Sequence, residues 1–87
     1  MGHTGCGAVE AALSGGAHGY IKTITDEISS GFSEGLSAEQ AEVLNVINGM
    51  EKIRESELMK SLEANGSVVI QGALYDTFSG FVGYVDE

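Results

Sequence analysis

His3 and Cys6 are the residues of this chain best equipped for chemistry. They stand three apart in the opening run Met1-Gly2-His3-Thr4-Gly5-Cys6-Gly7, which holds the only cysteine and one of the two histidines. Imidazole nitrogen and thiolate sulfur are the donors zinc prefers. A three-residue spacing across a glycine-rich turn lets both converge on one ion, and a helix predicted directly behind Cys6 places partial positive charge beneath its sulfur. Two donors do not close a tetrahedral site, and no second cysteine exists in the 87 residues. The competing reading of the run is a strand-to-helix turn that carries an incidental thiol.

The elements that must hold this turn follow from periodicity. Residues 8–13 predict a short helix ended by Gly15-Gly16. Ile24, Ile28 and Phe32 recur at helical spacing, with Lys22, Asp26 and Glu27 largely opposite, and predict a helix over about 17–30. Ser37-Ala38-Glu39-Gln40 has the form of a capping box, so the next helix runs over 38–53. Its apolar face holds Val43, Leu44, Val46, Ile47, Met50 and Ile53, with Glu39, Glu42, Asn48 and Glu51 turned away. Ser56 caps a further helical piece over 57–64, which Asn65-Gly66 stops.

Then the period changes. Residues 67–75 are nearly continuously apolar and rich in β-branched side chains, which predicts a strand buried on both faces. Thr77-Phe78-Ser79-Gly80 reads as a turn and 81–85 as a partner strand closing a hairpin. The class is α/β, with helices on the last strands of a mainly parallel sheet. Only two strands are visible, too few to make a good sheet alone.

Eighty-seven residues make at most one small domain. Thirteen acidic residues against four basic leave a net charge of -9, which argues against nucleic acid or an anionic membrane surface as partner. No apolar run reaches the ~18 residues a membrane span needs. A lone cysteine makes no internal disulfide, so a cytoplasmic location is expected. The sequence opens inside a motif with no strand ahead of the His3 turn, so the chain is expected to be a fragment or to be completed by another subunit.

Two separated stretches resemble one family. Gly2-His3-Thr4-Gly5-Cys6-Gly7-Ala8-Val9 is similar to the G-H-[ST]-x-C-G zinc-binding segment of the β-class carbonic anhydrases. Gln71-Gly72-Ala73-Leu74-Tyr75-Asp76-Thr77-Phe78-Ser79-Gly80 resembles the late G-A-x-Y-D turn and hairpin of that family, and Asn45-Val46 its N-V helix start. The resemblance covers essentially the whole chain and corresponds to the C-terminal half of a family member. It implies a lyase that reversibly hydrates CO2 to bicarbonate by zinc-bound hydroxide, with zinc held by two cysteines and one histidine. By that matching His3 and Cys6 are metal ligands, and Gly5 and Gly7 offer backbone N–H groups to bicarbonate or simply shape a tight turn.

The departure from the family pattern is equally specific. The C-x-D-x-R segment, which carries the first cysteine ligand and an Asp-Arg pair, does not occur here, nor do the first strands of the sheet. The resemblance therefore implies a single incomplete domain over 1–87, no confident catalytic residue within it, and little activity unaided. The alternative function is a catalytically inactive module for assembly or metal binding, and the unpaired sheet predicts a homo-oligomer. A weaker third reading makes Cys6 a metal or thiol sensor. Among other candidates, His18 reads as a solvated surface histidine, Asp76 as the start of the hairpin turn, and Tyr75 as packed with its hydroxyl satisfied. Arg54 reads as a surface ion-pair member amid Glu51, Glu55 and Glu57. The P-loop and dinucleotide patterns are not met.

Overall fold

The computed structural model describes residues 1–16 and 18–86. Its elements, in order, are β1 (Gly2–His3), α1 (Gly7–Ser14), α2 (Tyr20–Ser29), α3 (Ala38–Arg54), α4 (Glu57–Ala64), β2 (Gly72–Tyr75) and β3 (Val82–Val85). The strands form one mixed sheet in the order β1-β2-β3. β1 runs parallel to β2, with His3 opposite Tyr75, and β3 returns antiparallel, with Gly72 opposite Val85.

Helix α3 is the spine, and its ends are locally encoded. The Ser37 side chain accepts from the Gln40 backbone while the Gln40 side chain accepts from the Ser37 N–H, a complete capping box. The first half of the helix packs on α1 and α2, where Val9, Ile28 and Ala41 form a buried cluster. Its second half lies on the sheet, where Val46, Met50 and Val85 form another. The sheet approaches α3 closely because glycines face it. A Cβ on Gly2 would stand 2.7 Å from Val46 Cγ2, and one on Gly72 would stand 2.7 Å from Met50 Sδ.

Several expectations hold. Gly15 ends α1 in the left-handed conformation with its N–H on the Ala11 carbonyl. Ser56 caps α4 by accepting from the Met59 N–H. Asp76 opens the hairpin turn, its Oδ1 accepting from Phe78 N at 2.8 Å and Ser79 N at 3.2 Å.

Others are corrected. The strand expected over 67–75 shrinks to 72–75, because Ser67 and Val68 fold back and donate to the Leu62 carbonyl at the end of α4. Val69 is exposed, and β2 is buried on neither face throughout. A third strand, β1, leads into His3 where none was expected; glycine at position 2 lets it lie against Val46. The helix expected over 17–30 begins at Tyr20, behind Gly19 at φ 63°. Its predicted start at residue 17 lies outside the described residues, and His18 precedes the helix. It turns Thr25 and Ile28 inward and leaves Ile24 exposed.

Asn45 and Val46 lie inside α3, the long helix expected to carry them. The apolar face of 43–62 is buried only in its first half, since α4 carries no buried residue and Leu58 is exposed. Tyr75 lies in part exposed at the sheet surface, where the expectation had it packed. Arg54 does form an ion pair, and the partner seen is Glu63 of α4 at 3.2 Å. Among the described residues no helix is long and apolar enough to cross a membrane.

Candidate functional site

The turn between β1 and α1 carries the candidate residues, and neighbours grip it from two directions. From the sheet side, Thr4 donates its backbone N–H to the Tyr75 carbonyl at 2.9 Å, extending the parallel ladder by one residue. The Thr4 hydroxyl accepts from the Thr77 N–H at 3.0 Å and lies 3.0 Å from the Thr77 hydroxyl. The hairpin turn is thereby tied to the opening segment, 73 residues away. From the helix side, Glu42 of α3 accepts the Gly5 N–H through Oε2 at 2.8 Å. Gly5 itself is left-handed at φ 65°, a conformation that costs glycine little and other residues more.

His3 ends β1 and is exposed. Its Nδ1 lies 2.9 Å from the Thr4 carbonyl. A carbonyl only accepts, so that geometry assigns the proton to Nδ1 and leaves Nε2 with its lone pair free, an arrangement also found in metal-binding histidines. Cys6 is a free thiol, half-buried, at the N-cap of α1. It packs beside Ala8 against the Val9 cluster, and its carbonyl accepts from the Glu10 N–H at 3.1 Å. Its side chain makes no capping bond, so the sulfur is not committed to the helix.

This donor pair fits zinc in chemical type. Among the described residues no group of three or more His, Cys, Asp or Glu side chains is placed to share an ion. His3 and Cys6 therefore amount to half a tetrahedral set. His18 is exposed ahead of α2 and does not join them. Asp76 does not join them either. Its carboxylate is spent on the hairpin turn, and the N–H groups of Phe78 and then Ser79 hold its pKa below the ordinary carboxylate value of 3.8. Of the two glycines that either face an anion or simply shape the turn, Gly5 has its N–H on Glu42, while Gly7 is the first residue of α1.

Glu42 and Thr77 escaped the sequence reading. Glu42 was expected on the solvent face of its helix, yet it is 5% exposed. The signal was present: residues 42, 46 and 50 share one helical stripe, and Val46 and Met50 are its buried members. Thr77 had no comparable signal, because its partner is at the far end of the chain.

On the opposite edge the hairpin presents an apolar surface. Phe78, Phe81, Val82 and Tyr84 are all exposed, and β3 pairs only with β2 among the described residues.

Comparison with curated proteins finds none that matches. The sequence model of the family described as carbonic anhydrase matches residues 1–82, a span that takes in the His3–Cys6 turn, all four helices, β2 and the hairpin turn. This chain belongs to the β-class carbonic anhydrase family.

Proposed function

We propose that the chain contributes His3 and Cys6 to a zinc centre that reversibly hydrates CO2 to bicarbonate and a proton. The observation that carries this reading is the turn itself. An imidazole with Nε2 free and an uncommitted thiol sit on a segment held by Tyr75, Thr77 and Glu42, within the span the family model matches. Zinc, when bound, supplies the Lewis acidity that brings the pKa of water into the neutral range.

The chain's own residues have narrower tasks. The Thr4 carbonyl orients the His3 ring, and the start of α1 presents Cys6. Gly7 is the backbone donor that suits bicarbonate, since the Gly5 N–H is taken. The remaining metal positions call for donors beyond the described residues, supplied by further sequence or by a second copy in a homo-oligomer. A net charge of -9 and a single cysteine favour a cytoplasmic protein that binds neither nucleic acid nor membrane.

The second reading is an inactive assembly or metal-binding module. What favours it is the donor count, two where a structural or catalytic zinc site needs three or four protein ligands. Zinc per chain after exhaustive dialysis, measured by elemental mass spectrometry alongside CO2 hydration by stopped flow, separates the two. About one zinc per chain with hydration activity supports the enzyme reading. Zinc without hydration supports the module. Absence of zinc overturns the enzyme reading and leaves the module as an assembly unit without metal.

A further inference from the structure

We infer that Glu42 is a positioning residue for the His3–Cys6 turn, holding the ligand segment in place and adding negative charge beside the cation; this rests on the zinc reading above.

Burying a carboxylate is costly, and glutamate is almost never fully buried without a partner. Glu42 is 5% exposed. Its hydrogen bond is to the Gly5 N–H at 2.8 Å, and among the described residues no Lys, Arg or His forms an ion pair with it. The carboxylate is thus aimed at the residue between His3 and Cys6, and among the described residues no cation pairs with it. A metal ion bound by the adjacent residues would offset its charge.

The mounting is rigid. Ala41, fully buried, locks the helix into the cluster of α1 and α2, and Val46 locks the next turn onto the sheet. The Thr4–Thr77 bonds join a half-buried residue to an exposed one, and water reaches them. The Glu42 bond is part-buried, with its acceptor carboxylate inside the protein, and charge-assisted bonds of this kind are the stronger ones. It bears on Gly5, whose left-handed φ sets the path from His3 to Cys6.

A plain structural tether needs only an acceptor, which glutamine also provides. Glu42→Gln keeps the volume and the acceptor and removes the charge, whereas Glu42→Ala removes both. Cobalt(II) is the probe, titrated into metal-free protein and followed by its d–d bands and the sulfur-to-cobalt charge-transfer band. Affinity should fall about 10- to 100-fold in Glu42→Ala, the range found when outer groups around a metal are removed. A fall in Glu42→Gln as well assigns part of the effect to charge, while a loss confined to Glu42→Ala assigns it to the bond.

A second readout needs no metal. The Gly5 amide should exchange slowly in the wild type and in Glu42→Gln, and fast in Glu42→Ala. It also stands if Glu42→Ala fails to fold, since the wild type and Glu42→Gln still report. Equal cobalt affinity in all folded proteins, or a Gly5 amide unprotected in the wild type, overturns the inference alone. A wild type that binds no cobalt, indistinguishable from Cys6→Ser, overturns the zinc reading and the inference with it.

Discussion

Replacing Gly72 with alanine tests how closely the sheet that carries the candidate site is fitted to α3. Gly72 is buried in β2, opposite Val85. An added Cβ would lie 2.7 Å from Met50 Sδ, 2.9 Å from Val46 Cγ1 and 3.3 Å from Val85 Cβ. The methionine sulfur ends a flexible chain and can swing aside. Val46 cannot do so cheaply, because a β-branched side chain in a helix has one strongly preferred rotamer. Either α3 lifts off the sheet or Val46 leaves its well.

Such overpacking costs about 1–3 kcal/mol, less about 0.4–1 kcal/mol gained because alanine has fewer unfolded conformations to lose. The net loss is on the order of 1–2 kcal/mol, which lowers Tm by roughly 5–15 °C in a domain of this size. Gly83 provides the internal control. It lies in the same ladder opposite Leu74, has no positive φ, and its added Cβ would meet nothing within 4 Å. Gly83→Ala should be neutral or stabilising. Urea unfolding followed by far-ultraviolet circular dichroism measures both. In a Val46→Ala background the Gly72→Ala penalty should shrink by more than the ~0.5 kcal/mol expected of independent sites. Equal effects at Gly72 and Gly83, or no coupling to Val46, would refute the packing argument.

Cys6→Ser should abolish zinc binding, because a neutral hydroxyl is a poor zinc ligand; unchanged metal content in that variant would sink the site. Asp76 carries a pH signature. Its carboxyl is held below the ordinary 3.8 by the Phe78 and Ser79 amides, so the stability it contributes is full above that value and is lost as pH falls through the lowered folded pKa. The stability difference between the wild type and Asp76→Asn should therefore narrow as pH drops below about 3.8; a difference flat across that window counts against the turn role.

Self-association is the last expectation. The chain exposes 5892 Å², against about 4,900 Å² for a compact monomer of its mass. The excess, about 1,000 Å², is comparable to the ~800 Å² each partner buries in a standard interface. Sedimentation should show an oligomer that strengthens with salt, as screening relieves the -9 charge. Tyr84→Glu together with Phe81→Glu should weaken it. A monomer at every concentration and salt level would refute it.

Much of this was open to reading along the chain. The capping box at Ser37, the cap at Ser56, the glycine stop at Gly15 and the Asp76 turn are each written within four consecutive residues or so. Their bonds close locally, so spacing alone reveals them. The family was legible too, from two motifs at opposite ends of the sequence, each a short run of consecutive residues. Misreadings arose where the deciding partner lies far away. Residues 67–71 carry strand-like composition, yet strand character needs a neighbour to pair with. β1 offers β2 only Gly2 and His3, and β3 only four residues. Composition cannot count partners.

Glu42 marks the boundary between the two kinds of knowledge. By residue type it belongs on the solvent face of α3, and by helical phase it belongs with Val46 and Met50. Neither consideration decides, because the outcome depends on whether a donor waits inside. The Gly5 N–H does, 37 positions earlier, and Thr77 reaches Thr4 across 73. The sequence by itself determined the caps, most of the helix bounds and the family, and it singled out His3 and Cys6 as candidates, all from residue type at short spacing. Only the tertiary structure decided which carboxylate is buried beneath the His3–Cys6 turn and which threonine ties it to the hairpin, because a hydrogen bond between distant residues exists only once packing has brought them within 3 Å or so.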